Sequence, residues 1–144
     1  MESSAPTVRG SFTPDLVASK TWIIDQLSGL APRLGTVYVL GSWFGNLGVL
    51  MHLDPRVQYD RLINVDHDRK WQAVSRRIAT RMGFDDHMQY MVTDVNDLDY
   101  RQAKNPSVVI NTSINNIQGQ QWFDRIPSGT VVALQGRDHP NMHR

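Results

Sequence analysis

Five short apolar runs punctuate the chain, and longer stretches with helical spacing separate them. The runs lie at 36–40, 61–65, 88–92, 107–111 and 129–135. Most are rich in valine, isoleucine or tyrosine and are too short for a helix, so each reads as a buried strand. Between them, Leu16, Trp22, Ile23, Ile24, Leu27 and Leu30 give a mostly helical apolar pattern. It predicts a helix that starts at Pro14 with Thr13 as its N-cap, runs to about Ser28, and ends at Gly29 and Pro32. The apolar stretch 46–53 predicts a second helix, entered from Gly45 and terminated by Asp54-Pro55. Trp71, Val74, Ile78 and Met82 recur at helical spacing and predict a third over 69–82, with Gly83 as its C-cap. A short helix is expected within 119–125.

Strands that alternate with helices across short connections predict an α/β fold with a mainly parallel sheet. The expected form is a Rossmann-like, doubly wound sheet of about five strands in the order 3-2-1-4-5, with helices on both faces. Residues 14–136 form the domain, 1–13 a loose leader and 137–144 a polar tail. In such a sheet, ligands bind beyond the carboxyl ends of the strands. The unusual polar residues cluster at those ends: Gly41 to Gly45, Asp66, Asp94, and Asn111 to Asn116.

Composition narrows the function classes. The chain has 144 residues, 40% hydrophobic and 20% charged, which is a globular balance. Fifteen basic and fourteen acidic residues leave a net charge of +1, so the overall balance gives no electrostatic case for nucleic acid. The absence of cysteine excludes disulfides, thiolate metal sites and cysteine nucleophiles. The five histidines, at 52, 67, 87, 139 and 143, form no metal-binding pair or tight cluster, so no catalytic metal is expected. Neither a secretory signal nor a membrane-spanning run is evident, and a cytoplasmic location is the default. The run 131–134 would leave an exposed apolar sheet edge, so a second subunit or the polar tail is expected to cover it.

Several of the strand-end residues carry chemistry. Gly41-Ser42-Trp43-Phe44-Gly45 follows the first strand and opens a helix, as a tight turn or a ligand loop would. Trp43 fills the middle position, so this is no dinucleotide-binding G-x-G-x-x-G fingerprint. Asp66 lies 25 residues beyond Gly41 and can accept hydrogen bonds from both hydroxyls of a ribose. Asp68 suits the capping of the following helix better, which leaves Asp66 as the ligand candidate, expected to be accessible to solvent. Beside it, His67 is the one histidine near the predicted site. Asp94 can accept from an exocyclic amine. Asn111, Thr112, Ser113, Asn115 and Asn116 either orient a nucleophile by neutral hydrogen bonds or form a polar turn.

Together these motifs, from 20 to 135, resemble a class I S-adenosylmethionine-dependent methyltransferase. The stretch 37–45 is similar to the first motif of that family, with Gly41 and Gly45 as its outer glycines. Gly41-Ser42-Trp43-Phe44-Gly45, Ile110-Asn111-Thr112-Ser113 and the stretches 126–130 and 134–135 look most like small methyltransferase-like proteins of phage genomes. The resemblance implies that Asp66 holds the ribose of S-adenosylmethionine, with His67 beside it, and Asp94 the adenine. It further implies that Gly41, Ser42, Trp43 and Gly45 border the methionine half, and that Asn111 and Ser113 face the reacting methyl. Three departures stand out. Val39 occupies a position often acidic in the family, Trp43 replaces a glycine, and two further strands of the usual fold do not follow the fifth. The acceptor is not legible. A lyase or cyclase using the same cofactor, or a noncatalytic binding or assembly module, are the alternatives.

Overall fold

The computed structural model describes residues 14–136, apart from 32, 84, 103–106 and 115. The expected leader, tail and Thr13 cap, together with Pro32, Asn115, His139 and His143, lie outside the described residues. Helix α1 spans Pro14–Ser28, strand β1 Leu34–Leu40, helix α2 Asn46–Leu53 and strand β2 Tyr59–Asp66. Helix α3 spans Arg69–Met82, β3 Met88–Val92, β4 Val108–Asn111, α4 Gln121–Asp124 and β5 Val131–Leu134.

All strand pairings are parallel, in the order β3-β2-β1-β4-β5. Val37 of β1 stands beside Leu62 of β2 on one side and Val108 of β4 on the other. This register keeps like residues on like faces, because successive side chains in a strand alternate. Val37, Val39, Leu62, Val108 and Ile110 pack with Ile23, Ile24 and Leu27 of α1, Leu47 and Met51 of α2, and Ala79 of α3. Tyr38, Leu40, Ile63, Val65 and Val109 line the opposite face.

That opposite face differs from the expected helical layer. Among the described residues its buried cover is Val95, Leu98 and Tyr100 from irregular chain and Trp122 of α4, with Ile117 and Ile126 partly buried against them. The chain there runs through short 3-10 turns at Val95–Asp97 and Tyr100–Gln102. Aromatic rings do the filling that helices would otherwise do. Tyr38 and Tyr100 meet edge to face at 5.1 Å, a favoured aromatic geometry. The Tyr38 hydroxyl donates to the Tyr100 carbonyl, and the Tyr100 hydroxyl to the Trp122 carbonyl. Burial pushes both phenols above the ordinary tyrosine range.

Asp68 caps α3 by accepting from the Lys70 amide, and Gly83 closes that helix at φ 80°. Both roles follow from residue type: a short acceptor at the start, and a residue free of Cβ strain at the end. Among the described residues, no helix is long and apolar enough to cross a membrane.

Candidate functional site

The connection from β1 to α2 concentrates three positive-φ residues in five positions. Gly41, Trp43 and Gly45 all adopt positive φ, at 66°, 52° and 77°. Trp43 is the only non-glycine residue to do so among those described, and a bulky side chain there carries backbone strain. The turn hangs from the tip of β2. The amides of Gly41 and Ser42 both donate to the Val65 carbonyl, and the Trp43 amide donates to Asp66 Oδ2 at 3.0 Å.

Asp66 therefore does more than the sequence suggests. Its Oδ1 accepts from the Asp68 amide at 2.9 Å, and its carbonyl accepts from the Thr93 amide. One residue thus ties the β1 turn, the start of α3 and the end of β3. Contrary to the expectation of a solvent-accessible acid, Asp66 is only 2% exposed. Backbone from the β1 turn and from the start of α3 closes on its two oxygens, and next to it the Trp43 ring packs on Trp71, with centroids 5.1 Å apart. A carboxylate offers about four acceptor sites, so two remain after these backbone bonds. His67 beside it is highly exposed, with Nδ1 3.7 Å from Asp66 Oδ1.

The tip of β4 meets this turn from the other side. Asn111 Oδ1 accepts from the Ser113 amide, and the Ser113 hydroxyl donates to the Gly41 carbonyl at 3.2 Å. A Cβ on Gly41 would lie 2.8 Å from Ser113 Oγ and 2.9 Å from Ser113 Cβ. Glycine at 41 is thus required twice, by its φ and by the approach of β4.

Two adjoining clefts open here. One, of about 260 Å3, is lined by Gly41, Trp43, Asp66, His67, Asp94 and Ser113, with Asn96, Asn116 and Gln118 among the rest. The other, of about 110 Å3, takes in Gly41, Ser42, Trp43, Ser113, Thr112, Asn46 and Lys20. They share Gly41, Trp43, Ser113 and Asn116, and together reach the lower end of the roughly 300–1,000 Å3 typical of small-molecule sites. A larger hollow of about 590 Å3 lies beside Tyr100, Arg101 and Arg125. It contains none of the buried polar atoms without a hydrogen-bond partner, and its Arg101 is bonded to Asp99. The strand-tip clefts have such atoms close by, in Ser42 Oγ on the wall and Asn111 Nδ2 behind it.

Of the sequence candidates, Gly41, Ser42, Trp43, Asp66, His67, Asp94 and Ser113 come together on these walls. Gly45 and Asn111 do not line them. Gly45 is packed against Ser75, where a Cβ would clash with the hydroxyl. Asn111 is completely buried and holds the turn that presents Ser113. Asp94 is exposed and also accepts from the Asn96 amide.

Asn116, from the expected polar strand-end segment, joins these walls, and Lys20 and Asn96 are wall residues that the sequence reading missed. Lys20 sits at helical spacing from Ile23, Ile24 and Leu27, a cation within an apolar stripe, and it is about nine-tenths buried. That misplaced polarity was the available signal. Asn96 joins its neighbours through four contacts: its amide to Asp94, its side chain to Gln118 and the Trp122 amide, and its carbonyl to Arg125.

The sheet order reverses between β1 and β4, and this is the point at which the clefts open. The fold is that of the class I S-adenosylmethionine-dependent methyltransferases. Geranyl diphosphate C-methyltransferase from Streptomyces coelicolor A3(2), solved with S-adenosyl-L-homocysteine, aligns at a TM-score of 0.63 with 19% identity. The alignment covers 81% of this chain and 42% of that one. A candidate sarcosine dimethylglycine methyltransferase from Galdieria sulphuraria aligns at 0.66 with 10% identity, over 83% and 46%. A candidate S-adenosyl-L-methionine-dependent methyltransferase from Methanococcus maripaludis aligns at 0.63 with 12% identity, over 94% and 67%. The chain thus spans less than half the length of the first two. No protein-family model and no curated protein sequence matches it.

Proposed function

We propose that the strand-tip clefts bind S-adenosylmethionine and that the protein transfers its methyl group to an acceptor. The observation that carries this reading is Asp66. It lies at the tip of β2, beside the turn where the sheet order reverses, and lines the cleft with acceptor sites to spare. The residues present fit such a group. Asp66 suits two ribose hydroxyls, and Asp94, whose Oδ1 already accepts from the Asn96 amide, has further acceptor capacity for an adenine amine. Ser42 Oγ supplies a buried polar atom without a partner. Lys20 brings positive charge to the smaller cleft, suited to the carboxylate of the methionine half.

When bound, S-adenosylmethionine supplies a methyl group activated by a cationic sulfonium. The protein's part is to hold the donor, align the acceptor and exclude water, and such positioning can supply most of the rate gain. Ser113 lines both clefts and faces the reacting region in this reading, while Asn111 acts through it as a positioning residue. His67 stands at the ribose side. The carboxylate of Asp66 is held by two backbone amides, so it serves as an anchor rather than as a base. An acceptor that is nucleophilic without deprotonation is favoured. We further propose that the edge of β5, which among the described residues pairs only with β4 and where Val131 and Leu134 are exposed, is covered by a second copy of the chain or by the polar tail.

Calorimetry with S-adenosylmethionine and S-adenosylhomocysteine tests the reading. A micromolar dissociation constant, roughly −8 kcal/mol, is expected, and no binding overturns it. Release of S-adenosylhomocysteine on turnover marks methyl transfer; methylthioadenosine marks a lyase or cyclase instead.

A further inference from the structure

The near-neutral net charge conceals an uneven distribution. Helix α3 contains Arg69, Lys70, Arg76, Arg77 and Arg81 and no acidic residue. All five are exposed. At about 100° per residue, they fall within an arc of about 140°, opposite the face that buries Gln72, Ser75 and Ala79. Their Cα positions span about 18 Å, at about 1.5 Å per residue.

A solvated helix face does not need this pattern. Arg77 and Arg81 are four apart, a spacing at which like charges repel. Elsewhere three arginines pair with carboxylates, Arg33 with Asp60, Arg56 with Asp25 and Asp54, and Arg101 with Asp99, and Arg125 donates to the Asn96 carbonyl. None of the five cations on α3 has an ion pair with a described carboxylate. Arg76 instead lies over the Tyr90 ring, 4.8 Å from its centroid.

The same helix carries an aromatic group to the cleft. Trp71, in its first turn, packs on both Trp43 and Phe44. Trp43 lines both clefts and is partly exposed. A row of cations with no ion pair to a described carboxylate therefore shares its helix with one ring of an indole pair that borders the clefts. Phosphates neutralised by arginine and bases stacked on aromatic rings are the two parts of single-strand nucleic-acid binding. A lipid surface fits less well, because the apolar side of α3 is already packed against β2 and β3 and membrane-surface helices insert that side.

We infer that the exposed face of α3 binds the phosphodiester backbone of a single-stranded nucleic acid, which presents a base to the cleft as the methyl acceptor. The acceptor role rests on the proposed function; the binding surface does not.

Anisotropy of fluorescein-labelled oligouridylate and oligothymidylate, measured without S-adenosylmethionine, tests the surface. Binding at low salt is expected, with log affinity falling by about 0.7 per log unit of salt for each phosphate neutralised. Arg76→Gln/Arg77→Gln/Arg81→Gln should weaken binding at least tenfold and reduce the salt slope by about 2. Arg77→Gln/Arg81→Gln, which leaves the Tyr90 contact alone, should give an intermediate loss with unchanged circular dichroism and melting. Absence of binding to either oligonucleotide, equal binding by the triple variant, or preferential binding to phosphatidylglycerol vesicles overturns the proposal. Calorimetry of the triple variant with S-adenosylmethionine keeps the two readings apart. Strand binding without S-adenosylmethionine binding removes the acceptor role and leaves the surface. S-adenosylmethionine binding without strand binding removes the surface and leaves the proposed function.

Discussion

The two rims of the sheet handle polarity in opposite ways. At the amino-terminal rim, charges are exposed and paired: Arg33 lies on Asp60, and Arg56 bridges Asp25 and Asp54. Such pairs are typically worth 0–1 kcal/mol. At the carboxy-terminal rim, polarity is drawn inward. Asp66 is buried on two backbone amides, Asn111 is fully buried with an unpartnered Nδ2, and Trp43 holds a left-handed backbone conformation. Strain and unsatisfied polarity each cost free energy, and they persist only where surrounding structure enforces them. A fold alone would have no reason to concentrate both on one rim. The contrast locates the site independently of any resemblance.

The largest break in that contrast should come from equivalent substitutions on the two rims. Asp66→Asn leaves one acceptor oxygen where two amides now donate, and sets an amide N–H against a backbone N–H. Hydrogen bonds to charged groups contribute about 1.5–3 kcal/mol each, so a loss of at least about 2 kcal/mol is expected in urea denaturation. Asp60→Asn should cost less than about 1 kcal/mol. The stability cost follows from burial that the sequence did not show, since Asp66 was expected there to be accessible to solvent. Because both roles meet in one carboxylate, S-adenosylmethionine affinity should fall as well, by at least tenfold.

A second comparison separates conformation from crowding. Gly41 and Gly83 share nearly the same φ, but a Cβ at 83 meets nothing within 4 Å, whereas one at 41 would collide with Ser113. Gly83→Ala should therefore show only the left-handed strain, about 1–2 kcal/mol. Gly41→Ala should lose more, because Ser113 and the β4 tip must retreat, and should alone abolish ligand binding. Ser113→Ala removes one hydrogen bond to the Gly41 carbonyl and should cost about 1 kcal/mol. Equal thermal shifts for the two glycine variants would show that the β4 tip yields freely.

The strands were legible because each is a short apolar run bounded by polar residues. The helices were legible because α3 keeps its apolar spacing and ends at glycine. The cover of the second sheet face was not legible. Val95, Leu98 and Tyr100 follow no period, and their burial depends on Tyr38 and Trp122, which are far away in sequence. At the site, strand-end position was enough to find Gly41, Asp66, Asp94 and Ser113. It could not show that the Trp43 amide would bond to Asp66, since the turn that brings it there holds a left-handed tryptophan, which residue preference argues against. The basic face of α3 was hidden for another reason: a net charge sums over the surface and discards its arrangement.

The smallest predicted effect lies at the amino-terminal rim and tests whether that rim is as passive as its ion pairs suggest. His52, in the last turn of α2, has Nδ1 3.1 Å from the Tyr59 hydroxyl and its ring 5.8 Å from that of His87. Burial, followed by the positive charge of a protonated His87, holds the His52 pKa below its ordinary value of 6.5. Burial also pushes the Tyr59 phenol up to about 12, so near neutrality it stays protonated and can donate to a neutral His52. In the unfolded chain His52 takes a proton as pH falls through 6.5, whereas the folded protein resists it. The unfolded state then binds more protons, so this residue's contribution to stability is fully present above pH 6.5 and is lost as pH falls through the depressed folded value. His52→Gln should flatten that decline, and His87→Gln should flatten it partly, since burial remains. Melting curves of the three proteins between about pH 8 and pH 5 provide the check. Parallel profiles would mean that His52 is solvated in both states, leaving the contrast between the rims sharper than drawn.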